Sequence, residues 1–185
     1  MYPNSMSLSI EIFDKIELNK VTVLTGLSPC YTELESFITK TGHKNCRLEF
    51  FPENYLHPRH QIKHLRKIIS ERNIYDKTII ATNSDYIIRE LNTLIGLFAR
   101  KDEEFFKNMI IDDSKKEDYS YFKVYKSMLI DSKDVTAYDF IDDIEWKKLE
   151  IDKILGIGAK SMDDIIVQMN QLQIEIYYHD LESGE

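Results

Sequence analysis

Positive charge is in deficit: 24 Lys and Arg stand against 32 Asp and Glu, giving a net charge of −8. Phosphate attraction needs a basic surface, so nucleic acid is not an expected partner, although a local basic patch fits within that total. Cysteine is nearly missing, with only Cys30 and Cys46. Their spacing matches no zinc motif and gives no disulfide framework, which suits a reducing, cytoplasmic setting. Long apolar runs are absent too. Nothing approaches the roughly 20 residues of a membrane span. Met1 to Met6 carries no basic segment leading into an apolar one, so neither a signal peptide nor a membrane role is expected. Repeats, low-complexity tracts and obvious linkers are lacking, and 185 residues favour one domain spanning 1–185.

Aromatic side chains are plentiful, with 11 Tyr and 9 Phe. That excludes a disordered chain and suits a surface that binds partners. Short β-branched runs alternate with helical periodicity. Leu8–Phe13 alternates like a half-buried strand. Val21–Leu24 reads as a buried strand entering a turn at Thr25-Gly26, Arg47–Phe51 as a strand stopped by Pro52, and Thr78–Ala81 as another strand. Between them, Tyr31–Lys40 and Leu56–Arg72 have helical spacing, and Asp85–Ala99 is a further helix with Ser84 or Asp85 placed to cap it. Strands alternating with helices predict an α/β layered core with a partly parallel sheet. This core is expected over about residues 7–100, with an α+β extension over about 101–185. In the extension, Val135–Ile141 and Trp146–Ile151 read as paired strands, and Ser161–Ile176 as a closing helix.

The most specific segment is Pro52-Glu53-Asn54-Tyr55-Leu56-His57-Pro58-Arg59-His60-Gln61. It resembles the Pro-Glu-x-x-Leu-His-Pro-x-x-Gln sequence that follows the Walker B strand in ABC-type ATPases of the SMC-like and OLD-like group. Thr78 to Tyr86 resembles that group's strand and switch loop, and Arg89-Glu90-Leu91-Asn92 its helical continuation. Val21 to Gly26 resembles the strand entering a Walker A loop. The likeness covers Val21 to Leu97 in the right order, with a looser echo in the tail. It implies a P-loop-NTPase-like core.

Set against that family, the chemistry is missing. A Walker A loop needs glycines whose N–H groups cradle phosphate, a Lys for the terminal phosphates and a hydroxyl for Mg²⁺. After Gly26 the corresponding positions hold Tyr31, Thr32 and Glu33, and Pro29 removes a further N–H. The two Walker B acids are replaced by Phe50 and Phe51. Glu49 is one residue early, on the opposite side of its strand. The switch His is replaced by Asn83. Positions 27–51 are too few for the helical subdomain, and no Leu-Ser-Gly-Gly-type signature exists. The resemblance therefore implies a truncated, catalytically inactive relative with no cofactor and no metal.

Such a chain would act by binding. Glu53, Asn54, Tyr55, His57, Arg59, His60, Lys63, Arg66 and Lys67 form the candidate partner surface, largely one basic helix face. The partner implied is a protein, an ABC-type ATPase or its effector, and a homodimer is compatible with the sequence. A stand-alone relic of this kind looks phage-like, as an inhibitor or decoy of a host defence complex working in the host cytoplasm. Two other readings stay open. One is a divergent ATP-binding subunit of a composite ATPase. The other is an acidic DNA mimic built on Asp112, Asp113, Glu117, Asp118 and Asp139, Asp142, Asp143, Glu145.

Overall fold

The computed structural model describes residues 16–26, 36, 38–39, 45–50, 52, 54, 56–114, 123–140 and 146–158. The expected strand at Leu8–Phe13 and helix at Ser161–Ile176 lie outside them. So does most of the helix expected at Tyr31–Lys40, of which Ser36, Ile38 and Thr39 are helical.

A five-stranded sheet forms the centre. Its strands are β1 (Val21–Thr25), β2 (Cys46–Phe50), β3 (Lys77–Ala81), β6 (Val135–Phe140) and β7 (Trp146–Leu149). Their spatial order is β2-β3-β1-β6-β7. The first four run parallel and β7 is antiparallel to β6. Parallel strands at a sheet centre are covered on both faces and so read as continuous apolar runs. β1 and β6 are buried at every position. Among the described strands β7 forms one edge and exposes Lys147 and Lys148.

Among the described residues two helices cover one face: α1 (Pro58–Ser70) and α2 (Asp85–Ala99). Between them and the sheet lies the main core, which includes Val21, Val23, Ile80, Val135 and Ala137 from the strands and Leu65, Ile69, Leu91 and Ile95 from the helices. The alternate strand residues Leu24, Ile79, Ala81, Tyr138 and Phe140 point to the other face. There Ile16, Leu18, Ile38 and Trp146 pack against them. Tyr138 is fully buried, stacked edge-on to Trp146 with ring centroids 5.2 Å apart. Its hydroxyl accepts from the Glu17 N–H at 2.9 Å, which ties the segment before β1 to the sheet.

The remaining described elements are small: α3 (Glu104–Lys107), a parallel pair β4 (Ile110–Ile111) with β5 (Val124–Tyr125), and a hairpin of β8 (Ile151–Asp152) and β9 (Gly156–Ile157). The hairpin is clamped to α2. The Asn92 side chain accepts from the Ile157 N–H at 2.6 Å and donates to the Ile157 carbonyl at 3.1 Å. Arg72 performs a similar service beyond α1. Its guanidinium donates to the carbonyls of Ile69 and Leu129, each at 2.8 Å, and to that of Ser127. Burial lowers the pKa of Arg72, with Asp134 pulling the other way.

The chain is therefore mixed α/β with a partly parallel sheet, as its alternating pattern predicts. Strand β6, from the presumed extension, sits beside β1 inside the sheet. Its register with β1 is set by pairing across more than a hundred residues, which local periodicity cannot report.

Candidate functional site

In a parallel sheet every strand delivers its carboxyl end to the same edge, and ligands of open α/β sheets bind in the crevice outside that edge. Here β1, β2, β3 and β6 end together, with Leu24 opposite Ala81, Phe50 opposite Ala81 and Thr25 opposite Asp139. Three of the seven positions assigned to the degenerate nucleotide site thus converge: Gly26, Phe50 and Asn83. Tyr31, Thr32, Glu33 and Phe51 lie outside the described residues.

Gly26 has φ +73°, a left-handed conformation that favours glycine. A Cβ there would sit 2.0 Å from the Phe140 carbonyl oxygen and 3.2 Å from Asp139 Oδ1. Its N–H donates to Asn83 Oδ1 at 2.9 Å. The first amide after β1 is thus turned to the loop after β3.

Next to it lies a buried polar group. Thr25 Oγ1 donates to Asp139 Oδ1 at 2.8 Å, with the Tyr138 carbonyl 3.3 Å away. Asp139 is only 3% exposed. The sequence placed this acid among solvated carboxylates, and burial at the sheet edge corrects that. The signal was present: Asp139 follows Val135 and Ala137 at a spacing of two, on the face that meets the helices. The acids Asp112 and Asp113 do face solvent, in a turn where they accept from Ser114 and Ser127. The other acids assigned to a mimic surface lie outside the described residues.

The Leu-His-Pro segment builds the start of α1. His57 is the N-cap, its Nδ1 accepting from the Arg59 N–H at 3.3 Å, and Pro58 fills the first turn, where its missing N–H costs nothing. Gln61 reaches back to the Leu56 carbonyl at 2.9 Å and accepts from Ser84 Oγ at 2.6 Å. Ser84 also caps α2, accepting from the Ile87 N–H at 3.4 Å. One hydroxyl therefore joins the starts of both helices. Replacing Ser84 by alanine is expected to cost about 1 kcal/mol, read as a lower urea midpoint with unchanged slope.

On the candidate partner surface, Arg59, Lys63 and Lys67 recur every fourth residue of α1 and are exposed, with His57, His60 and Asn54 exposed nearby. Glu53 and Tyr55 lie outside the described residues. Arg66 does not belong to this surface. It is 2% exposed and pairs with Glu90 of α2 at 2.6 Å. Arg66 falls with Ile62 and Ile69 on the apolar stripe, at a spacing of four and then three, so the helix turns it inward. Burial pushes the Glu90 carboxyl above the usual glutamate range, against the opposing pull of Arg66.

Glu49 turns to the α1 side, held by Arg47 at 2.6 Å, with His64 3.6 Å away. Arg47 also pairs with Glu71 at 2.6 Å, which holds the Glu71 carboxyl low. Burial raises the Cys46 thiol, which keeps it protonated and unsuited to attack. Among the described residues no group of three or more His, Cys, Asp or Glu could hold a metal ion. None of their helices is long and apolar enough to cross a membrane.

Two clefts, of about 600 and 670 Å³, lie along α2 and the β8–β9 hairpin rather than at the strand edge. No family model, curated protein or solved structure matches the chain.

Proposed function

We propose that this chain is a catalytically inactive relative of ABC-type ATPase heads that acts as a binding module on a protein partner. The observation that carries the reading is the closure at Gly26. A working phosphate loop presents backbone N–H groups and a lysine to the β- and γ-phosphates. Here the Gly26 N–H is engaged by Asn83, and the Phe140 carbonyl oxygen occupies the space a Cβ on that glycine would need. A carbonyl oxygen repels phosphate. Phe50, at the end of β2, packs into the second core and supplies no acid.

The partner surface in this reading is the exposed stripe Arg59, Lys63 and Lys67 with His57 and His60. Helix α1 contains no acidic residue, although the chain as a whole is acidic. An ABC-type ATPase, or an effector that such an ATPase regulates, is the partner proposed, and a phage-encoded inhibitor is the biological setting that fits it. Titrating the purified chain with ATP and Mg²⁺ by calorimetry is expected to give no saturable heat up to millimolar nucleotide. Micromolar binding, or phosphate release above background, would sink the proposal.

One observation favours a second reading, a divergent ATP-binding subunit. Asp139 supplies a buried acid at the strand edge, where β2 ends without one. This reading requires nucleotide binding once a partner completes the site, so the same titration on the reconstituted complex separates the two.

A further inference from the structure

The cleft of about 600 Å³ along α2 is independent of the strand edge. It lies beside the stretch from Arg89 to Arg100, whereas Ser84 and the strand-edge loops sit at the opposite end of the helix. Its apolar lining includes Leu97, Phe106, Met109 and Val124. The hairpin tip forms one lip, where Ile154 and Leu155 remain 45% and 77% exposed. Gly96 lets that lip approach, since a Cβ there would meet the Ile154 carbonyl oxygen at 2.7 Å.

The charge in this cleft opposes that of the protein. Three arginines are among its lining residues, Arg66, Arg89 and Arg100, and no described carboxylate is. Asp85 and Glu103, which pair with Arg89 and Arg100, stand outside the lining and hold these two in place. Arg100 is further fixed over the Phe106 ring, 4.2 Å from its centroid. A guanidinium has five N–H donors in a rigid fork, so one carboxylate behind it leaves it able to bind an anion in front. Size, apolar lining and a few convergent polar groups are the ordinary features of a small-molecule site.

We propose that this cleft binds a free amphiphilic anion, a small molecule with one carboxylate or phosphate on an apolar body. The head meets Arg89 and Arg100 at the rim. The body lies on Leu97, Phe106 and Met109 beneath the Ile154–Leu155 lip.

Decanoate is the probe, with decanamide as its uncharged match, each titrated into the ¹⁵N-labelled full chain. Decanoate is expected to shift the amides of Asn92, Gly96, Arg100, Ile154 and Leu155 saturably, and to bind about tenfold more tightly than decanamide. The Arg89→Gln/Arg100→Gln variant is expected to lose that preference while its affinity for decanamide stays the same. The parent comparison does not depend on the variant folding. Equal affinity for the two probes, shifts that do not saturate, or shifts confined to other residues would overturn the proposal.

Discussion

Replacing Glu90 by alanine is expected to lower the unfolding free energy by about 3–5 kcal/mol, the cost of breaking a buried ion pair by removing one partner. Arg66 Nε donates to Glu90 at 2.6 Å, and the two side chains are 3% and 9% exposed. The Lys123 carbonyl accepts a further bond from Arg66 at 3.2 Å. The truncation removes this carboxylate from a guanidinium buried between α1 and α2. In a chain of this size the loss corresponds to a fall of roughly 6–20 °C in melting temperature. The double variant Arg66→Met/Glu90→Leu removes both charges and is expected to remain within about 2 kcal/mol of the parent. Denaturant melts of the three proteins decide it. A single variant within 1 kcal/mol of the parent would mean that water reaches the pair in solution.

Substituting Gly26 by alanine should be nearly as costly, at about 2–5 kcal/mol. Two terms add: a left-handed conformation imposed on an L side chain, and a Cβ driven against backbone. The obstruction is the Phe140 carbonyl at 2.0 Å, part of a strand that cannot swing aside as a flexible side chain could. Relief requires the ends of β1 and β6 to part, which would strain the bond from Thr25 to Asp139. Amide exchange is the informative measurement. The variant should lose protection first at residues 24–26 and 138–140, with α2 retaining protection until global unfolding. A variant as stable as the parent would show that this turn relaxes freely, and the closure that carries the functional proposal would lose its force.

How much of this was legible beforehand differs element by element. Asp85–Ala99 was readable to the residue, because Ser84 caps it and its apolar positions recur with helical period. The carboxyl-end cluster was half legible. Gly26 and Asn83 stood out against the ATPase pattern, yet the hydrogen bond joining them spans 57 positions. Asp139 was misread because neighbouring acids disguised a strand alternation. Arg66 was misread because a basic residue on a basic helix looks solvated, and only packing of α1 on α2 brings Glu90 to it. The Asn92 clamp was not legible at all, since its partner Ile157 is 65 residues away.

The sequence alone determined what the strand-edge loops contain. No lysine stands at positions 27–33, no acid ends β2, and Asn83 stands where the ATPase group that the sequence resembles carries histidine. Those are matters of residue identity, and no folding changes them. Tertiary structure decided what the loops do with what remains. It placed Gly26, Asn83 and Asp139 at one edge because β1, β3 and β6 run parallel, and it turned Arg66 inward and left Arg59, Lys63 and Lys67 outside. The physical reason is that local periodicity fixes which face of an element is apolar, while only the pairing of distant elements fixes what that face meets.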